Sequence, residues 1–211
     1  MAAAGSDLYA GLSEEEAYAL LDSAEYGQLS LWDGEASEPQ MTFLHYTPLA
    51  SPHQIWGHLA RANPMLKRLE TNPRATFWVN GPSAFIPSHW GDPESGVPTS
   101  YYNWAQFELE VRLVHDPGGK VAILERLLER YQPEGRHPPL NLEEKYWQGM
   151  VTAITGLAMR VLSSQSRHKL GQNKPPAART RIAEELSARA FSEDAAVAEQ
   201  VLARLGEGRS S

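Results

Sequence analysis

The chain has 211 residues, of which 42% are hydrophobic, enough for one compact domain with a real core. Its 26 acidic against 19 basic residues give a net charge of −7, which argues against broad electrostatic capture of DNA or of an anionic membrane. No cysteine is present, so disulfides, thiolate catalysis and cysteine-based zinc sites are excluded, and a reducing cytoplasm is the expected location.

Met1 to Gly5 carries no basic leader followed by an apolar run, and no stretch approaches the length of a membrane span. Ser13 and Glu16 form a capping-box pattern opening a helix with Ala17, Leu20 and Leu21 on its apolar side. Tyr26–Trp32 reads as a strand closed by the turn pair Asp33-Gly34, with Met41–Tyr46 as its hairpin partner. Thr47-Pro48 and Ser51-Pro52 bracket a predicted loop, and Gln54-Ile55-Trp56 ends the next strand.

The segment Gly57-His58-Leu59-Ala60-Arg61-Ala62-Asn63-Pro64 joins that strand to a short helix ending near Glu70. Asn63 is a favoured cap, and Pro64 loses nothing at a first helical position. The spare N–H groups and positive end of such a helix suit an anion. Arg61 adds a planar fork of donors, His58 a second donor, and Lys67 stands one turn in as a reserve cation. An ordinary capped junction, with Arg61 paired to a surface carboxylate, explains the octapeptide taken alone.

Ala75–Val79 reads as a buried strand stopping at Gly81-Pro82, and residues 87–99 as a long ordered loop or lid. Phe107, Leu109, Val111 and Leu113 alternate with charged residues in the clearest strand. Asp116-Pro117 caps a helix to Tyr131 with Val121, Leu124, Leu127 and Leu128 on one side, and Asn141 with Glu144 opens another. A strand from Ile154 to Leu162 leads to Lys169-Leu170-Gly171-Gln172-Asn173. After Pro175-Pro176, 179–189 and 195–205 read as two alanine-rich helices, the second with a Val197, Val201, Leu202, Leu205 stripe suited to docking or dimerisation. Short strands with interspersed helices make an α+β chain on an antiparallel barrel, with 1–175 as its domain and 176–211 as a helical extension.

Three ordered motifs together resemble the PaiB-type FMN-binding regulator family over about Gln28 to Asn173. Gly57–Pro64 matches its GHLARANP signature. Gly81-Pro82-Ser83-Ala84-Phe85-Ile86-Pro87-Ser88-His89-Trp90 with Val97-Pro98-Thr99 is similar to GP.AYISPSWY and VPTWNY, and Lys169–Asn173 to KLSQN. This chain departs in Ser88-His89-Trp90, in Ser100 where the family has tryptophan, and in Gly171 where it has serine.

The resemblance implies a pyridoxamine-phosphate-oxidase-like split barrel, a homodimer with FMN in the groove between subunits, and flavin-dependent redox chemistry as the reaction class. Arg61, Asn63 and His58 would take the phosphate; Lys169, Gln172 and Asn173 would approach the flavin, from the other subunit in one arrangement. Ser88 and Thr99 could hydrogen-bond flavin or substrate, and Trp90, with Tyr101, Tyr102 and Trp104, could wall the ring. Read from residue type alone, the same aromatics are core and the same polar residues a turn. No histidine spacing suits a metal pair, so no metal is expected. The family's name raises a transcription regulator as an alternative, which the acidic charge does not support and for which only Arg179 and Arg181 offer a basic feature. Related barrels raise another, a haem-binding protein with His58 or His89 as ligand.

Overall fold

The computed structural model describes residues 11–32, 38–49, 53–92, 94 and 96–206; Met1–Gly5, Asp33-Gly34 and Ser51-Pro52 lie outside them. In chain order the elements are α1 (Glu14–Ser23), β1 (Gly27–Leu31), β2 (Gln40–Leu44), β3 (Thr47–Leu49), β4 (Gln54–Ala60), α2 (Met65–Thr71), β5 (Arg74–Asn80), β6 (Ala84–Ile86), α3 (Ser88–Gly91), β7 (Thr99–Val114), α4 (Pro117–Tyr131), α5 (Lys145–Thr152), β8 (Ile154–Lys169), α6 (Pro176–Arg189) and α7 (Asp194–Ala203). The strands form an eight-stranded sheet in the order β2-β1-β5-β7-β8-β4-β3, with β6 paired to β7.

By their contacts the residues fall into two compact units. The first comprises Met1–Leu20, Asn80–Ala105 and Gln165–Ser211; the second comprises Leu21–Val79 and Gln106–Ser164.

In the second unit, β1 and β2 pair antiparallel from Gly27↔Leu44 to Leu31↔Gln40, as the hairpin pattern predicts. Tyr46 is fully buried, its ring meeting Phe77 edge-on at 4.9 Å, and its hydroxyl donates to the Leu21 and Ala24 carbonyls. Two local expectations are corrected here. Thr47–Leu49 is an edge strand rather than loop, because an edge position tolerates Pro48's missing N–H. β4 also continues past Trp56 to Ala60, because β8 supplies a full partner from Gln54↔Arg160 to Ala60↔Ile154.

α4 packs over this pair, with Val114, Ile123, Leu127 and Ala158 as a buried cluster joined by Trp56 and Tyr131. Of the predicted Val121, Leu124, Leu127 and Leu128 side, Leu127 is buried and the other three are half-buried, and Lys120 and Ile123 complete the buried stripe. The helix approaches closely at Gly156, where a Cβ would fall 2.6 Å from Ile123 Cδ1. His58 stands opposite Gly156 in the register, so it belongs to the strand, and it is half-buried. Its Nδ1 has no hydrogen-bond partner among the described residues, and burial holds its pKa below the ordinary histidine value.

In the first unit, Ser13 and Glu16 form the predicted capping box, each side chain accepting from the other's N–H. Residues 87–99, expected as loop, include the short helix α3. α6 and α7 pack through Ile182, Leu186, Val197 and Val201 against Ile86, Trp90, Tyr101 and Leu170. Of the predicted α7 stripe, Val197 and Val201 are fully buried while Leu202 stays exposed. β8 runs on to Lys169, and the turn after it contains Gly171, whose φ is +76° and where a Cβ would fall 2.1 Å from the Tyr101 hydroxyl. Glycine therefore stands where the resembling family has serine for two local reasons.

Gly171→Ser should destabilise the protein by about 1–3 kcal/mol, measured by urea unfolding, through left-handed strain and overpacking against Tyr101. A serine variant of unchanged midpoint would show that the turn and the Tyr101 ring adapt freely. A second expectation concerns pH. The folded state keeps His58 neutral below the pH at which the unfolded chain protonates it. Its contribution to stability is therefore complete above pH ~6.5 and is lost as the pH falls through the lower folded-state value. His58→Phe should flatten that part of the stability profile relative to the parent; parallel profiles would refute the assignment.

Candidate functional site

The second unit contains a cleft of about 570 Å³. Its walls are the Arg61–Pro64 turn, one side of α2, the start of α4 from His115 to Lys120, and Val151, Thr152 and Thr155 where α5 meets β8. The turn is held by main-chain bonds. Arg61 N–H donates to the Ala153 carbonyl at 2.8 Å, adding one more bond beyond the β4–β8 ladder, and Asn63 N–H donates to Ala60 at 2.8 Å.

Asn63 does act at the start of α2, its Oδ1 accepting from Met65 N–H at 3.0 Å, while its carbonyl accepts from Leu66 N–H at 3.2 Å. The expected supply of spare helix N–H groups is corrected by this. The turn consumes two of them, so the anion-binding character of the cleft rests on side-chain cations. Arg61 and Lys67 are exposed, and neither side chain has a hydrogen bond or ion pair among the described residues. Lys120 is the third cation, and Glu70 is the only carboxylate of the lining.

Arg61 and Asn63 are thus brought together, with Lys67 beside them, whereas His58 is not part of the lining. His115, which residue type and its proline neighbour mark as a solvated histidine, also lines the cleft, and Lys120 and Thr155 join it without a sequence signal of their own. Thr155 is buried in β8, and nothing in its local sequence marks it; Lys120 follows Asp116-Pro117-Gly118-Gly119 by one residue, at a helix start that was recognised without its cation.

The other predicted contacts lie in the first unit. Lys169 Nζ donates to Thr99 Oγ1 at 2.6 Å. Gln172 closes its own turn, Oε1 accepting from Leu170 N–H and Nε2 donating to the His168 carbonyl. Asn173 is exposed, and Ser88 opens α3. Trp90 is a core residue, with the Arg189 guanidinium 4.8 Å over its ring. Burial raises the Tyr101 hydroxyl to about 12, against the opposing pull of Arg179, so it stays protonated at neutral pH. The basic pair is committed as well. Arg179 is fully buried, and Arg181 donates to the Trp90 and Gly91 carbonyls. Among the described residues no group of three or more histidine or acidic side chains could hold a metal ion, and no helix is long and apolar enough to cross a membrane.

Comparison with solved structures shows the same fold at low identity. The flavocytochrome Anf3 from Azotobacter vinelandii aligns with a TM-score of 0.59 and 13% identity, covering 78% of this chain and 70% of its own. A FAD and heme binding protein from Mycobacterium smegmatis aligns at 0.56 and 17%, covering 77% and 74%. A conserved hypothetical protein from Mycobacterium tuberculosis aligns at 0.54 and 18%, covering 75% and 86%. A search of curated protein sequences finds no match. Together with the antiparallel sheet and its helices, these likenesses make the fold class α+β, of the split-barrel kind expected. Residues 7–163 match the family model described as "Putative FMN-binding domain", a span that includes the whole cleft, and the chain belongs to this FMN-binding domain family.

Proposed function

We propose that this protein is a PaiB-type FMN-binding flavoprotein that seats the flavin phosphate in the Gly57–Pro64 cleft and works as a homodimer. The observation that carries the reading is the charge of the cleft. Three cations against one carboxylate line it, in a chain of net charge −7, and two of the cations lack partners among the described residues. An isolated surface arginine needs no explanation, but a concave group of unpaired cations suits a dianion. The Arg61 guanidinium offers two parallel donors to phosphate oxygens, Lys67 adds charge, and Asn63 keeps its amide N–H₂ available while its oxygen caps α2. Bound FMN would supply hydride and electron transfer through its ring, and the protein's part is to hold and tune it.

The PaiB assignment is supported by the three motifs, the first of which builds the cleft. Pairing of two copies is supported by an apolar group in the second unit. Trp32, Met41 and Phe43 are each at least 60% exposed, and Tyr26 packs edge-on to Phe43 at 5.8 Å. Such a group on a sheet edge marks an interaction surface. In that dimer Lys169, Thr99, Gln172, Asn173, Ser88 and Trp90 belong to segments that would approach the flavin from the second copy, with Lys169 and Thr99 as its polar contacts. We likewise propose residues 1–175 as the flavin-binding domain and 176–211 as its helical extension, supported by the packing of α6 and α7 within their own unit.

The purified protein should retain flavin absorbance after FMN is added and the excess removed, and should prefer FMN to riboflavin. A protein that stays colourless would overturn the reading. Arg61→Ala should weaken FMN binding by about 2–3 kcal/mol while leaving riboflavin unaffected, as for truncating one partner of a charge-assisted contact; unchanged FMN affinity would move the phosphate elsewhere. For the dimer, Phe43→Lys should shift the sedimentation equilibrium toward monomer, and a parent that sediments as a monomer would exclude it.

A further inference from the structure

Lys120 is an unusual lysine. It stands in the first turn of α4, a position where a lysine side chain ordinarily reaches into water, yet only 8% of it is exposed. Its Nζ donates to the Val151 carbonyl at 3.1 Å, and it has no ion-pair partner among the described residues. The carboxylate nearest in sequence, Asp116, is committed to the helix cap, where it accepts from Gly119 N–H at 2.7 Å. An ammonium has three donors, and a single neutral carbonyl engages one of them. Burial and the neighbouring Arg61 charge both draw its pKa below the ordinary lysine range, with Asp116 pulling the other way. A buried cation beside another cation, with one neutral acceptor, is short of negative charge.

Lys120 also lines the cleft that holds Arg61 and Lys67. An alkyl side chain would serve the packing of α4 equally well without the cost of desolvating a charge. We propose that Lys120 is a direct ligand of the phosphate monoester of the flavin, on the α4 side of the cleft, and that it sets the preference for the phosphorylated cofactor. The inference rests on the cleft being the phosphate site. The anion supplies acceptors for the two N–H groups that no described residue engages and relieves the repulsion from Arg61. Riboflavin, having a neutral hydroxyl there, does neither.

The test is titration of the full-length protein and of Lys120→Met with FMN and with riboflavin, followed by flavin fluorescence. The substitution should weaken FMN binding by about tenfold or more, the loss of one charge-assisted contact, and leave riboflavin binding unchanged. An unchanged FMN-to-riboflavin preference in Lys120→Met, with a parent that does prefer FMN, would overturn the role of Lys120 and leave the phosphate cleft standing. A parent that binds both flavins equally would remove the cleft reading and this inference together. A second measurement needs no variant. In the parent protein, FMN should slow acetylation of Lys120 by acetic anhydride several-fold, read by peptide mass spectrometry, and riboflavin should not. Equal acetylation with either flavin would overturn the proposal. Inorganic phosphate, run alongside, separates recognition of the bare anion, where it protects as FMN does, from recognition that needs the whole monoester, where FMN alone protects; each pattern supports the ligand role.

Discussion

The candidate site depends on the β4–β8 ladder and on the one bond that carries it further, Arg61 N–H to the Ala153 carbonyl. Seven residue pairs bring Gln54–Ala60 alongside Arg160–Ile154, and the extra bond holds the chain in register as it leaves the sheet. Together with the Asn63 N–H to Ala60 carbonyl bond, it fixes the backbone of the Arg61–Asn63 turn. With it, Arg61 emerges beside the end of α5 and the start of β8, where Val151, Thr152 and Thr155 stand. The cations meet because two antiparallel strands end at the same place.

The same ladder decides what lies on the other side. Gly156 lets α4 approach β8, so Ile123 seats on the strand and the first turn of α4 comes down over the end of the ladder. Asp116 fixes where that helix begins, through the Gly119 N–H, and so fixes the height of Lys120. A cleft lined by Arg61, Lys67 and Lys120 is therefore a consequence of strand pairing, a glycine contact and a helix cap. None of these is itself a ligand-binding feature, and each can be recognised by its local physics.

Those local signals explain what was legible in the sequence. The Ser13–Glu16 capping box, the β1–β2 hairpin, the Asp116-capped helix and the alternation through Phe107, Leu109 and Val111 rest on neighbours in the chain, and all appear in the structure; Leu113, read onto the same face, is half-buried, and Val114 is buried instead. Extents were less legible. β4 runs to Ala60 because β8 continues beside it, and no local residue announces a partner more than ninety positions away; β8 itself runs on to Lys169. His58 shows the cost of that. Read as part of a turn it faces the anion, whereas in the strand opposite Gly156 it is half-buried and outside the cleft lining, with its pKa held down by burial. Gln172 looks available in a polar pentapeptide, yet both ends of its amide serve the turn it belongs to. Lys120 was hidden for the opposite reason. A lysine in the first turn of an amphipathic helix reads as solvated, and only the packing of Ile123 and Leu127 turns its stripe inward.

The departures from the family pattern can be weighed in the same terms. Gly171 in place of serine goes with a left-handed backbone and the Tyr101 hydroxyl lying where a side chain would begin. Trp90 is held in the core of its unit, with Arg189 above its ring and Arg181 on its carbonyl. These substitutions thus sit among packing contacts that support them, and they lie outside the unit that carries the cations. Of the Gly57–Pro64 segment, Arg61, Ala62, Asn63 and Pro64 line the cleft. The departures therefore fall among the packing contacts of α3 and the Gly171 turn, whereas the backbone that carries Arg61 and Asn63 is fixed by the β4–β8 ladder and the one bond beyond it.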